Sequence, residues 1–121
     1  MTDETKIGSS ATEEGWLDVL ASEALREGQG RDVVIADQII AVFRHEDVLY
    51  AMDGMCAHQG GPIAEGSIGK DAQTRDCVTC PWHGWQYELK TGIQTINRQP
   101  LQAVFPVREV DGQIQVNLNR I

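Results

Sequence analysis

Cys56-Ala57-His58-Gln59-Gly60-Gly61-Pro62 and Cys80-Pro81-Trp82-His83-Gly84-Trp85, with 21 residues between His58 and Cys80, are the two stretches on which the reading of this chain turns. Each offers one thiolate and one imidazole. Two soft anionic sulfurs with two neutral nitrogens suit either tetrahedral zinc or an iron-sulfur cluster in which His replaces Cys on one iron. The surrounding segment, about 53–91, is rich in Gly, Cys, His and Trp and lacks the period of an amphipathic helix. A loop-rich insert of that length needs something besides apolar burial to hold it rigid, and a bound metal centre is a common solution.

Outward from this insert the pattern becomes β. On the N-terminal side, Val33–Ala36, Ile39–Phe43 and Val48–Met52 are short β-branched runs, separated by Asp37-Gln38 and by His45-Glu46-Asp47, and they predict a meander. On the C-terminal side, Val104–Val110 and Gln113–Leu118 flank Asp111-Gly112, a dipeptide suited to the positive φ angles of a tight hairpin. Ser22 is expected to cap a helical turn through Glu27, which Gly28 ends. Residues 1–14 have almost nothing to bury and are expected to form a flexible tail, leaving 15–121 as one folded domain.

Composition narrows the function classes. The chain has 121 residues, is 41% hydrophobic and carries a formal charge of -8. That charge argues against nucleic acid as a partner, because phosphate binding needs clustered Lys and Arg. No apolar run is long enough for a membrane span and the first residues lack the pattern of a secretory signal, so a cytoplasmic protein with no membrane association is expected. Three cysteines is an odd number, and Cys77 and Cys80 sit in a His-containing motif rather than a disulfide framework.

With these residues in hand, Cys56-x-His58 followed by Gly60-Gly61-Pro62, then Cys80-Pro81-Trp82-His83-Gly84-Trp85, resembles the two-loop signature of the Rieske family. The flanks agree, since Val48–Ala51 and the Phe105-Pro106-Val107 strand with Asp111-Gly112 resemble that family's β framework. The resemblance implies an all-β fold, an antiparallel β-sandwich base with an inserted loop-rich cluster-binding subdomain. It also implies one Rieske-type 2Fe-2S cluster, with Cys56 and Cys80 on one iron and His58 and His83 on the other. Two ferric ions, two sulfides and two thiolates sum to a neutral core, which accepts an electron more easily than an all-cysteine cluster two charges lower. A ligating imidazole keeps a second nitrogen whose proton affinity should rise on reduction. Gly60, Gly61 and Gly84 would let backbone N–H groups approach the sulfurs, while Trp82 and Trp85 would shield the cluster and pack the insert on the framework.

The chain also departs from the family. The high-potential members place an extra cysteine in each loop, where this sequence has Gly61 and Trp82, and a serine hydroxyl where it has Trp85. A low potential follows, against which Tyr87 stands where those members place a tyrosine near a ligand sulfur. The His58-to-Cys80 gap is longer than the family's, with the excess in 69–75. Cys77 is expected to be a free, partly buried thiol and His45 a solvated turn residue. With no room for a second metal domain, the resemblance implies a stand-alone electron carrier, not itself an enzyme, that takes electrons from a flavin-dependent ferredoxin reductase and passes them to a terminal oxygenase. The alternatives are the small subunit of an assimilatory nitrite reductase and, in a different class, a structural zinc-binding interaction module.

Overall fold

Ile39-Ile40-Ala41-Val42-Phe43 is apolar at every position, which an antiparallel strand requires only when both of its faces are covered. The computed structural model, which describes residues 11–12, 15–58, 60–82 and 84–118, places it so. The strands are β1 (Ala11–Thr12), β2 (Trp16–Ala21), β3 (Gly30–Ile35), β4 (Gln38–His45), β5 (Val48–Asp53), β6 (Ser67–Lys70), β7 (Asp76–Thr79), β8 (Gln86–Glu88), β9 (Val107–Val110) and β10 (Gln113–Asn117). Among the described residues there is no α-helix, and none is long and apolar enough to cross a membrane. The fold is all-β, as expected. Three antiparallel sheets form, in the orders β1-β2-β10-β9, β3-β4-β5 and β6-β7-β8.

Because side chains alternate across a strand, β4 serves two cores at once. Ile40 and Val42 join Leu25, Ala51, Phe105, Ile114 and Val116 between the first two sheets. Ala41 and Phe43 face the other way, packing with Met52 of β5 and with Ile63, Val78, Tyr87 and Leu89 from the insert. Each fully buried aliphatic or aromatic side chain here contributes about 2 kcal/mol.

Three two-residue turns connect the trunk strands, each with positive φ at both positions: Ala36 (51°) and Asp37 (65°), Glu46 (52°) and Asp47 (65°), Asp111 (50°) and Gly112 (80°). This is the turn geometry whose twist matches paired strands. Asp111-Gly112 was legible from its residues. The first turn falls one residue earlier than Asp37-Gln38, because Gln38 already pairs with Ile35.

Other boundaries shift for physical reasons. The run Val104–Val110 is not one strand: Asp53 N–H donates to Ala103 O (2.8 Å) and Phe105 N–H to Ala51 O (2.9 Å), so this part pairs with β5. Beyond Pro106 the chain pairs with β10 instead. It changes sheets at a residue with no N–H to give either ladder. The Ser22 turn is a single 3-10 turn, Ser22–Ala24, with Ala21 at its N-cap position and no side-chain cap. Gly28 does adopt positive φ (81°), donating its N–H to Arg44 O. Of the expected tail, 1–10 and 13–14 lie outside the described residues, while Ala11–Thr12 pair with β2.

The insert sheet is tied to the trunk at its rim. His45, expected to be a solvated turn residue, ends β4 with Nε2 3.0 Å from Asp76 Oδ1, and Lys70 pairs with the same carboxylate. Glu88 of β8 accepts from Arg98 (2.8 Å), Arg75 (3.2 Å) and Thr91 (2.8 Å).

Candidate metal centre

Two loops leave the strand ends and meet. The first runs from Asp53 to a 3-10 turn at Ile63–Glu65 and closes on itself: Cys56 N–H donates to Gly61 O (2.8 Å) and Gly60 N–H to Cys56 O (2.8 Å). Gly60 takes φ +74°, a conformation that side chains rarely adopt. The second loop joins β7 to β8, with Cys80 N–H donating to Trp85 O (2.7 Å) and Trp82 N–H to Cys80 Sγ (3.4 Å). Gly84 also has positive φ (72°), and a Cβ there would meet nothing within 4 Å, so its glycine is required by conformation rather than by space.

The loops bring Cys56 and Cys80 together in one core, 3% and 1% exposed. Gly61 lies against the second loop, where a Cβ would stand 2.8 Å from Cys80 Sγ and 3.0 Å from Trp82 Cγ. Any larger residue would push the loops apart. His58 of the first loop stacks on Trp85 of the second, with ring centroids 4.3 Å apart and planes 4° from parallel, and its Nδ1 is buried. His83 lies outside the described residues. Trp85 is half-buried against the insert core, but Trp82 is 50% exposed. That corrects the expected packing role of Trp82. Only its base meets Gly61, and its ring stands at the tip.

Tyr87 is fully buried with Oη 3.1 Å from Cys56 Sγ. Burial, then the neighbouring Cys56 and Cys80, push its hydroxyl well above the ordinary phenol value, so it stays protonated and able to donate. Burial likewise raises the Cys80 thiol; the Trp82 N–H opposes this and Cys56 adds to it.

This donor set fits a soft metal centre. Cys56 and Cys80 lie side by side in an apolar core, where a cation between them would stabilise the thiolate form. His58 stands on the first loop against Trp85 of the second. Cys77 is apart from them. Its neighbour Val78 faces the insert core, and Cys77 points to the opposite face of β7, its thiol pushed up to about 11 by burial and donating to Arg75 O. It is a free thiol, buried rather than partly so. The carboxylates of Glu46 and Asp76 beside His45 form no second metal site, because Lys70 occupies the cation position between them.

One residue carried no signal in the sequence. Gln102, 3% exposed, reaches back to the first loop with its side-chain amide and bonds Asp53, Met55 and Ala57. In the sequence it is one polar residue in the irregular stretch 99–103.

The Rieske [2Fe-2S] domain family matches residues 15–110. The anthranilate 1,2-dioxygenase ferredoxin subunit of Burkholderia cepacia is 33% identical over 112 residues, spanning 91% of this chain and 98% of that protein. Several other curated relatives are longer: cholesterol 7-desaturase nvd of Hemicentrotus pulcherrimus is 38% identical over 79 residues, which is 64% of this chain but 16% of its own length. Among solved structures, a chain from the complex of reduced oxygenase and oxidised ferredoxin in carbazole 1,9a-dioxygenase is similar with TM-score 0.73, 27% identity and 90% and 98% coverage. A proposed NADH-dependent nitrite reductase small subunit from Mycobacterium tuberculosis gives TM-score 0.79, 25% identity and 88% and 96% coverage.

Proposed function

The chain belongs to the Rieske [2Fe-2S] domain family, and from that premise we propose that it is the ferredoxin of a multicomponent oxygenase, receiving single electrons from a flavin-dependent reductase and delivering them to a terminal oxygenase. It carries one Rieske-type 2Fe-2S cluster, which supplies reversible one-electron chemistry. Cys56 and Cys80 would hold one iron and His58 and His83 the other.

The chain's own residues then do three things. As ligands, Cys56 and Cys80 are anionic acceptors, so Tyr87 Oη and the Trp82 N–H both donate to sulfur and favour the reduced state. Burial of both sulfurs excludes water. Trp85 fixes the plane of His58 through ring stacking, holding one imidazole in place while leaving the loop tip accessible. Around that tip, residues 54–64 and 77–87 contain no Asp, Glu, Lys or Arg, although the whole chain is strongly acidic. Exposed Met55, Trp82 and Ile96 suit transient apolar docking of a redox partner.

The observation that carries this reading is the convergence of buried Cys56 and Cys80 from two loops cradled at Gly61, in a chain that aligns over 91% of its length with a dioxygenase ferredoxin subunit. Protein produced with ample iron and sulfide should be red-brown, contain iron and sulfide in equal amounts and bleach on accepting one electron. Mixed with a flavin reductase and a ring-hydroxylating oxygenase, it should support product formation. Colourless protein that holds zinc would overturn the cluster. Capture of a nitrite reductase large subunit, in place of an oxygenase, would transfer the chain to the second reading, which the similarity to the Mycobacterium tuberculosis chain supports.

A further inference from the structure

Beyond Asp53, β5 diverges from its neighbour just where the first cluster loop begins. Up to that point the segment 103–105 pairs with it through backbone, Phe105 N–H to Ala51 O and Asp53 N–H to Ala103 O. Past it, the ladder is continued by a side chain. Gln102 Nε2 donates to Asp53 O (3.0 Å) and to Met55 O (3.1 Å), and Gln102 Oε1 accepts from Ala57 N–H (2.6 Å). The three contacted residues alternate along the loop, as the bonding groups of a strand edge do. A primary amide offers two donors and a carbonyl, and here each is used once. Two carbonyls on one side and an N–H on the other also fix which way the amide points.

We infer that Gln102 is a positioning residue for the cluster: its side-chain amide stands in for a missing strand and locks the peptide between Cys56 and His58. This rests on the reading of the site as a Rieske centre. Ala57 is the only residue between those two ligands, so its N–H, held outward on Gln102, sets the direction of both neighbouring side chains. No other common side chain fits. Glu would oppose its oxygens to two carbonyls, Lys has no acceptor, and Asn is a methylene shorter.

The backbone is arranged to bring Gln102 this close. Gln102 N–H donates to Gly92 O (3.2 Å), and a Cβ on Gly92 would lie 1.9 Å from Gln102 O. Gly92 also takes φ +76°. The insert's last turn therefore passes against Gln102 with no room for a side chain between them.

The test uses the cluster-loaded protein with Gln102→Leu and Gln102→Glu. Deuterium exchange of the peptide spanning Asp53–His58 should quicken at least tenfold in Gln102→Leu, with trunk peptides unchanged. Its reduced-state electron paramagnetic resonance signal should broaden, since the two ligands no longer hold one geometry. Gln102→Glu keeps the size but brings a carboxylate beside the first loop, and should shift the redox equilibrium about tenfold toward the oxidised form, about 59 mV for one electron. A residue that merely filled space would move neither resonance nor potential when replaced by Leu. Unchanged exchange, resonance and potential in both variants overturn the inference. If Gln102→Leu does not retain a cluster, wild-type protein decides: the Asp53–His58 peptide must exchange at least tenfold slower than an unstructured chain, and an unprotected peptide overturns the inference. Iron and sulfide content of the wild type decides the function separately, because exchange reads these hydrogen bonds whichever metal is bound.

Discussion

In the trunk, paired sheets bury Ile40, Val42, Ile114 and Val116 between them, and two-residue turns close the hairpins. In the insert, a small sheet carries two loops whose backbone is held by Gln102, by the Glu88 cluster and by glycines at Gly60, Gly61 and Gly84. The trunk is held by area removed from water, which is non-directional and tolerant. The insert is held by directional bonds to particular atoms, which fixes a site and tolerates little. The two regions share β4 and β5, so each change below asks on which side of those strands its effect stays.

The largest effect should come from the proposed ligands. Replacing His83 with Ala, or Cys80 with Ser, should abolish the visible absorption if each gives a donor to one iron. The trunk should remain folded, with slow exchange retained in β2, β9 and β10 while residues 54–102 exchange freely. Loss of all protection on either change would mean that the trunk is no independent unit.

Core truncations come next and should sort by face of β4. Phe43→Ala opens the insert core and should cost about 4 kcal/mol, with accelerated bleaching. Ile114→Ala opens the trunk core and should cost about 3 kcal/mol while leaving the visible spectrum intact. Urea unfolding followed in parallel by absorbance and by circular dichroism distinguishes them. If Ile114→Ala bleaches as fast as Phe43→Ala, the two cores act as one.

Tyr87→Phe removes the hydroxyl's hydrogen bond to Cys56 and its contact with the Ala57 backbone. The oxidised form should gain about tenfold, lowering the potential by about 59 mV, with little change in unfolding. Protein-film voltammetry would read it. An unchanged potential would show that Tyr87 serves packing only.

Glu88 gives the insert an acid dependence. Burial alone would raise its carboxyl, but Arg98, Thr91 and Arg75 outweigh it and hold the group below the ordinary 4.5. A depressed carboxylate contributes stability above its unfolded value, and that contribution is lost as pH falls through 4.5 toward the folded value. The insert should therefore loosen below about pH 4.5, by roughly 1 kcal/mol. Glu88→Gln should remove that slope, in cluster release measured against pH. An identical slope in Glu88→Gln would assign the acid sensitivity elsewhere.

What the sequence revealed follows the same division. Hairpins were legible because alternation and turn residues act locally, as Asp111-Gly112 shows. The two loops that bring Cys56 and Cys80 together were legible because Cys and His at short spacing are rare without a role. What escaped were interactions between residues far apart in sequence and ordinary in type. His45 was read as solvated because its partner Asp76 is 31 residues away, and Gln102 was not singled out because Ala57 is 45 residues away. The split of 104–110 between two sheets was hidden as well, since Pro106 alone does not say which ladder each side joins.

The smallest effect should lie wholly in the trunk. Ala36 opens the β3–β4 turn at φ 51°, where a Cβ crowds the following carbonyl and Ala gains nothing in return. Asn tolerates that region through local hydrogen bonding and is favoured at this turn position. Ala36→Asn should therefore stabilise the protein by about 0.5 kcal/mol, raising the midpoint of thermal unfolding by a few degrees. The turn lies at the far end of β4 from His45, and the first loop touches β4 two residues beyond it, where Gly54 N–H donates to Ile39 O; a substitution that keeps the turn's backbone should leave potential and spectrum untouched. A gain in midpoint with a shifted spectrum would mean that strain at a trunk turn reaches the insert through β4, and the division between the two regions would fail at its shared strand.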